Sequence, residues 1–316
     1  MRNRMMMWCV SATLIACVAG CESDSDSKLP ARKTLDLGSG VKLEMVLIPA
    51  GSFVMGDDSG IDDEKPAHHV VITKPFYLGK YEVTVEQFRR FVEATGYVTD
   101  AEKGTGFDGA FSWDPDTSEF RMNEAHSWRT TGFTQADDHP VVNVSWNDAM
   151  AFCEWLRSEG GKRCRLPTEA EWEHACRAGT TTRYSHGDDP ESAATVANVA
   201  DAAFEEQFPE LKGIIQANDG YVHTSPVGSF LQNPFGLHDM HGNVWEWCAD
   251  WYDTEYYANS PKSDPEGAAT GDERVYRGGG WFNCTRGFRS AGRSAGLPEN
   301  RHLTLGFRVA VSARHH

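Results

Sequence analysis

Apolar positions recur along this chain with two distinct periods. The stretches Leu43-Glu-Met-Val-Leu-Ile-Pro49 and Gly51-Ser-Phe-Val-Met-Gly56 are short, alternating or β-branched, and bounded by Gly and Pro, which predicts strands. Val70-Val71-Ile72 and residues 76–83 predict two more. Three other segments follow the helical period and carry their own start and stop signals. Thr84 stands three residues before Gln87, with Phe88, Phe91 and Val92 on one face and Gly96 after them. Ser145 precedes Asp148, with Ala149, Phe152, Trp155 and Leu156 on one face and Gly160-Gly161 at the end. Thr168 precedes Glu171, with Trp172, Ala175 and Cys176 on one face and Gly179 at the end. Each combines a capping-box start, an i, i+3, i+4 stripe and a glycine stop, and the stripes, Trp155 and Trp172 included, are expected to pack on a core.

Residues 97–140 and 180–235 show neither period. They are rich in Gly, Asp, Thr and Ser and read as long irregular loops, which in a compact domain need pins such as metals, tight turns or disulfides. Short elements joined by heavy loop content give an α+β chain.

The N-terminus breaks this pattern. Arg2 and Arg4 precede an apolar run that is too short to span a bilayer, and Val18-Ala19-Gly20-Cys21 closes it. These four residues resemble the lipobox of bacterial lipoproteins. The resemblance implies a signal peptide over 1–20, a lipid on Cys21 and an anchored chain in the cell envelope. The following Glu22-Ser-Asp-Ser-Asp-Ser-Lys28 has no apolar residue, so 21–38 reads as the lipidated cysteine and a flexible tether. The remaining 39–316 is expected to be one domain, ample for a sizeable core.

Charge narrows the partners. The formal charge of the whole chain is −16, and it becomes more negative once Arg2 and Arg4 leave with the signal. Such a chain repels phosphate backbones, and no basic stretch with interleaved aromatics appears, so nucleic acid is not an expected partner. Divalent cations are. Beyond Cys21 the cysteines are Cys153, Cys164, Cys176, Cys248 and Cys284. The number is odd, no Cys-x-x-Cys pair occurs, and export permits disulfides whose connectivity spacing does not reveal.

Several longer strings are specific enough to carry a family resemblance. They are Pro49-Ala-Gly-Ser-Phe-Val-Met-Gly56, Tyr81-Glu-Val-Thr-Val-Glu-Gln-Phe88, His139-Pro-Val-Val-Asn-Val-Ser-Trp-Asn-Asp-Ala149, Arg165-Leu-Pro-Thr-Glu-Ala-Glu-Trp-Glu173 and Asn233-Pro-Phe-Gly-Leu-His-Asp-Met-His-Gly-Asn-Val-Trp-Glu-Trp247. Arg277-Gly-Gly-Gly-Trp281, Arg289-Ser-Ala-Gly-Arg293 and Gly306-Phe-Arg308 complete the order. Together they resemble the formylglycine-generating (sulfatase-modifying factor) family. The resemblance implies a single domain with little regular secondary structure, distantly related to C-type lectins. It also implies conversion of a sulfatase cysteine to formylglycine by oxygen and a copper ion held on two cysteines.

Here the pattern departs from the family. The family's Cys-x-x-x-x-Cys pair follows a Gly-Gly-Ser turn, whereas residues 278–290 are shorter, carry Gly280 at the serine position and hold one cysteine, Cys284. Soft Cu⁺ is selected by thiolates, and one thiolate does not make a two-thiolate site, so copper is not an expected cofactor. Cys284 remains the candidate catalytic residue, and equally a disulfide half or a buried thiol. Oxidase chemistry would need a second thiol brought near it by folding, for instance Cys248. The iron enzymes of the same superfamily take their ligands largely from an additional helical domain, and no His-x-x-x-His-x-Glu string occurs here. The family's calcium positions match Asn198, Val199, Asp219 and Tyr221, and a second ion is expected at the Asn243 to Glu246 turn; amide, carboxylate and backbone oxygens suit Ca²⁺. The resulting expectation is an envelope lipoprotein that binds, scaffolds or modifies a protein or peptide partner. A formylglycine-generating oxidase, or another oxidase or transferase on the scaffold, is the alternative.

Overall fold

The computed structural model describes residues 29–313 apart from 115, 116, 118, 161, 162 and 210–213. The expected signal peptide, Cys21 and residues 22–28 of the expected tether therefore lie outside the described residues, whereas residues 32–36 of that expected tether are instead an edge strand, held by pairing with 42–46 and by the buried Leu35. Among the described residues, thirteen short strands and six α-helices form an α+β domain. A five-stranded sheet is assembled from β1 (Arg32–Asp36), β2 (Lys42–Ile48), β5 (Phe76–Gly79), β13 (Ala310–Ser312) and β8 (Cys164–Arg165), in that order. A four-stranded sheet has the order β11 (Arg293–Gly296), β10 (Arg274–Arg277), β9 (Trp245–Trp251), β12 (Leu305–Gly306). Two hairpin-like pairs complete the set, β3 (Gly51–Met55) with β4 (His68–Ile72) and β6 (Ala110–Asp114) with β7 (Glu119–Asn123). The first sheet joins strands from both ends of the described chain, which ties 32–48 to 310–312 as one domain.

The helices form where the caps predict. α1 (Val85–Thr95) opens with a reciprocal box, Gln87 N donating to Thr84 Oγ1 at 3.2 Å and Thr84 N to Gln87 Oε1 at 3.0 Å. It ends at Gly96 with φ 67°. α2 (Asp100–Lys103) repeats the device with Thr99 and Glu102. α3 (Trp146–Gly160) uses Ser145 and Asp148 reciprocally at 3.0 and 2.9 Å. α4 (Glu169–Arg177) uses Thr168 and Glu171, but its left-handed cap is Ala178 at φ 47°, one residue before the glycine. α5 (Ala202–Gln207) is capped by Asp201, and α6 (Tyr256–Asn259) is a single turn.

The stripes of α1 and α3 close on one core. Phe88, Phe91, Phe152 and Phe307 pack around one another, edge to face except for the stacked pair Phe88 and Phe152, with Trp128, Trp155 and the inner face of the first sheet about them. A second core lies around Trp172, Cys176, Leu78, Ile72 and Cys248. Trp155 and Trp172 are both core residues, as their stripes require. His174 of the same helix is buried, with Nε2 3.1 Å from the Pro49 carbonyl.

Residues 97–140 are more ordered than their composition suggests. They contain α2 and the β6–β7 hairpin, whose outward side chains Phe111, Trp113, Phe120 and Met122 form an aromatic face. Hairpin pairing satisfies the backbone while the polar residues between the aromatics mask the alternation.

Candidate functional site

The segment carrying Cys284 leaves β10 through Gly278 and Gly279, with φ of 100° and 78°. Both lie where an L side chain is disfavoured, and a Cβ on Gly279 would sit 2.9 Å from Phe288 Cα. The turn then runs inward. Trp281 is buried, with its N–H donating to the Asn243 carbonyl at 2.9 Å and its indole to the Leu303 carbonyl at 3.3 Å. At Gly280, the position where the family carries serine, a Cβ would meet Thr304 Cβ at 2.9 Å, so the missing side chain is matched by a filled neighbour.

Beyond Trp281 the turn is tied down at several points. Asn283 Oδ1 accepts from Gly280 N at 2.8 Å, the Cys284 carbonyl from Gly287 N at 2.8 Å and the Thr285 carbonyl from the Tyr184 hydroxyl at 2.9 Å. The Phe288 carbonyl faces His241 Nδ1 at 2.8 Å. This contact fixes Nδ1 as the donor, and burial pushes the His241 imidazole down to about 3, so the ring is neutral. Its Nε2 accepts from Ser185 N at 3.0 Å.

Aromatic residues wall the turn. Trp281 meets Phe133, Phe204, Phe282 and His223 at 4.9–5.9 Å between centroids. Phe133 stacks on His223 at 4.6 Å and 6°. Phe282 reaches Phe120, which links the turn to the hairpin's aromatic face through Trp113 and Phe208. Burial lowers the affinity of His223 for a proton. Neither His223 nor the hairpin stood out in the sequence; Trp113 and Phe120 carry a signal only once they are known to lie opposite one another.

Cys284 is the part-exposed thiol of the five. Cys153 and Cys164 lie in the first core and Cys176 and Cys248 in the second. Cys248, the sulfur proposed to approach Cys284, is enclosed on β9, where burial pushes its thiol well up. Cys176 sits 3.6 Å from His241 Nε2, yet burial holds its thiol up at about 12. The disulfide reading of Cys284 is not the arrangement found, since its thiol is free.

The four positions of the first expected calcium site converge directly beneath the turn. Asn243 N donates to the Asn198 carbonyl at 2.7 Å, and Asn198 Nδ2 to the His223 carbonyl at 2.7 Å. Asp219 accepts from Val199 N at 2.8 Å and from Tyr221 N at 2.9 Å. Asn198 Oδ1 is buried without a hydrogen-bond partner. The Asp219 carboxyl is pushed up to about 7, first by burial and further by the charge of Asp201, whose Oδ2 accepts from Asp219 N at 2.7 Å. An orphaned amide oxygen beside two close carboxylates is what a hard cation would satisfy.

The 243–246 turn is different. Asn243 Oδ1 accepts from Ser225 N at 3.0 Å and Asn198 Nδ2 at 3.2 Å. Glu246 is paired with Arg308, at 2.5 and 2.6 Å, and accepts from the Trp172 indole at 2.7 Å. Neither side chain offers an open ligand oxygen. The unpartnered oxygen in this neighbourhood is Asp239 Oδ1, on a carboxyl held up at about 6 by burial. Asp239, at a left-handed φ of 58° just before the turn, and Glu82, which accepts from Asn243 Nδ2 at 2.9 Å, were missed in the sequence. Among the described residues, no three His, Cys, Asp or Glu side chains form a metal cage.

Residues 39–313 match the sulfatase-modifying factor enzyme 1-like domain. The chain belongs to that family. Formylglycine-generating enzyme from Streptomyces coelicolor is 40% identical over 85% of this chain and 89% of its own length. A bovine relative, inactive C-alpha-formylglycine-generating enzyme 2, is 35% identical over 88% of this chain and 91% of its own. Among solved structures, PvdO from Pseudomonas aeruginosa matches with a TM-score of 0.71 at 31% identity, covering 90% of this chain and 100% of that one. The sulfatase-modifying factor fold thus accounts for the strings read in the sequence, and the relatives include both proteins named as formylglycine-generating and proteins named inactive.

Proposed function

We propose that this chain is a lipid-anchored protein of the bacterial envelope whose sulfatase-modifying factor domain binds a protein or peptide partner at the aromatic-walled turn, without two-thiolate copper chemistry. The observation that carries the reading is the distribution of sulfur. One thiol, Cys284, is within reach of solvent, and the other four are held in the two cores. A two-thiolate centre needs two sulfurs on one face of a pocket, and the residues present do not fit it. The bovine relative named inactive is in keeping with a family member that keeps the scaffold and not the oxidase.

A sulfatase-motif peptide incubated aerobically with the purified chain and Cu⁺ is expected to show no formylglycine. Mass spectrometry reads this directly. A loss of about 18 Da at the peptide cysteine, absent with Cys284→Ser, would establish the oxidase instead.

First-site calcium belongs to the same proposal. Asn198, Val199, Asp219 and Tyr221 would hold it, and its chemistry there is structural, joining two long loops under Trp281. The anchoring half rests on Val18-Ala19-Gly20-Cys21. Among the described residues no helix is long and apolar enough to cross a membrane. Cys21→Ser is expected to move the protein from the detergent phase to the soluble envelope fraction on phase partitioning; unchanged partitioning would remove the anchor.

A further inference from the structure

The β6–β7 hairpin leaves one strand edge open. Phe111 N donates to the Arg301 carbonyl at 3.1 Å, and Leu303 N to the Phe111 carbonyl at 3.2 Å, so the backbone groups of Phe111 point away from β7. Phe111 lies opposite Met122, and two residues on Trp113 lies opposite Phe120. In an antiparallel ladder both members of such a non-hydrogen-bonded pair turn their N–H and C=O outward. Phe120 and Met122 therefore present their backbone donors and acceptors along the free side of β7, and among the described residues no other segment pairs with them. The same two residues carry their side chains on the aromatic face, beside Phe111 and Trp113. Phe111 and Met122 are exposed, and Phe120 reaches Phe282 of the Cys284 turn at 5.5 Å between centroids.

Charge around this edge is one-sided. From Ala110 to Glu124 and along α5, which Phe208 joins to Trp113 at 4.9 Å, the described residues carry five acids, Asp114, Glu119, Glu124, Glu205 and Glu206, against one base, Arg121. The whole chain has 46 acids to 30 bases, so this corner is acidic beyond the average. Arg121 is already matched by Asp114 on the face away from the aromatics, and the four glutamates make no ion pair among the described residues. Counting Arg286 of the Cys284 turn still leaves acids in excess, five against two. A second copy of this chain would bring the same acids against their own kind, which argues against self-pairing here.

We propose that β7 takes an extended segment of a partner protein as an added strand, a segment with apolar side chains on one face and lysine or arginine on the other. The proposal rests on the peptide-binding reading of the aromatic-walled turn, and it adds how the partner is held and what chemistry it carries. Backbone hydrogen bonds to Phe120 and Met122 supply the pairing, and alternate side chains of the segment lie on the aromatic face. The intervening side chains stand on the face of Glu119 and the Asp114–Arg121 pair, where acids outnumber the base and a cation is favoured. Open strand edges are normally blunted by charge, proline or a covering segment, and the inward-turned Arg121 leaves the backbone of β7 accessible.

The test uses the purified full-length chain and a fluorescent peptide of about nine residues, alternately valine and lysine, with binding read by anisotropy. The peptide is expected to bind, and its counterpart with glutamate in place of lysine to bind roughly tenfold more weakly at low salt. Methyl groups on the backbone nitrogens of one alternate set, valines or lysines, should abolish binding, and on the other set should be tolerated, because successive N–H groups of a strand face opposite edges. Met122→Pro removes an outward N–H and leaves the ladder to β6 intact, so it should weaken binding about tenfold, the worth of one such hydrogen bond. Glu119→Lys with Glu124→Lys should reverse the preference between the two peptides; an unchanged preference would overturn the basic partner. Equal tolerance of both methylated sets, with Phe282→Ala still weakening binding, would overturn strand addition and leave the turn as the partner's site. Uptake of neither peptide would overturn this proposal and peptide binding at the turn together.

Discussion

Glu173→Ala is expected to destabilise the domain by about 3–5 kcal/mol, the range for leaving a buried charge unpaired. Glu173 is fully buried on α4, where it accepts from Gly56 N at 3.0 Å and Arg177 Nε at 2.8 Å and pairs with Arg277. One turn earlier Glu169 receives both arms of Arg293, at 2.7 and 2.8 Å, and the Tyr257 hydroxyl at 3.1 Å. Glu64 binds Arg289, which also lies 3.8 Å from Asp57. Four carboxylates thus face four guanidiniums around one helix. Removing one acid leaves Arg177 without its ion-pair partner and Arg277 with only Glu169, at 3.5 Å, in a space that admits little water. The loss should appear as a lower denaturant midpoint with an unchanged m-value. Replacing the pair together, Glu173→Leu with Arg277→Met, should recover much of it, because desolvation is then no longer incurred. A single-variant cost below 1 kcal/mol, or a double variant no better than the single, would show that the network adds little.

The same network sets a response to acid. Burial alone would push the Glu169 carboxyl up, but the Arg293 and Arg277 guanidiniums outweigh it and hold it below the usual range. A carboxyl depressed on folding contributes stability that is fully present above the ordinary glutamate pKa and lost as pH falls through the folded value. The Glu169 contribution is therefore intact at neutral pH, and unfolding midpoints should fall only below about pH 4. Glu169→Gln should flatten that acid limb.

α4 shows where reading a sequence stops. Thr168, Glu171 and the Trp172, Ala175, Cys176 stripe specify its start and its buried face, and the structure has both. Glu169, Glu173 and His174 occupy what an amphipathic pattern treats as the solvated side. They are buried because β3, β4, β9 and β10 pack around the helix, and the arginines that neutralise its acids come from 277 and 293. Nothing local encodes a partner more than a hundred residues away. The same limit applies to the site. The single cysteine of 278–290 was visible as spacing, but the aromatic wall was not, because Phe133, His223 and Trp281 meet only through the fold. The convergence of Asn198 with Asp219 was legible through resemblance alone; the orphaned oxygen that gives it chemical content required coordinates.

Calcium is expected to raise the melting temperature of the metal-free protein by roughly 5–10 °C when the free ion is about a hundredfold above its dissociation constant. Mass action at that ratio contributes about 2.7 kcal/mol, and a domain of this size moves roughly 2–4 °C per kcal/mol. The ion's stabilisation has a local origin. Asn198 Oδ1 is buried and unpaired, and the half-buried Asp219 lies beside the fully buried Asp201. Without a cation the folded state carries an unsatisfied acceptor and a like-charge repulsion that the unfolded chain does not, so the ion acts on the folded state. Asp219→Ala should abolish the response, but it also removes the acceptor for Val199 N and Tyr221 N and so lowers stability by itself. Asp219→Asn separates the two effects. It keeps one of the two acceptor oxygens and removes the charge, so the calcium response should disappear while the metal-free protein loses less stability than Asp219→Ala does. Because Asn198 holds Asn243, and Asn243 holds Trp281, the ion should also steady the Cys284 turn. Amide exchange at Trp281 and Asn283 should slow on adding Ca²⁺ in the parent and stay unchanged in Asp219→Asn. Superimposable melting curves with and without Ca²⁺, on protein verified as metal-free, would leave these oxygens as a hydrogen-bonded turn and nothing more.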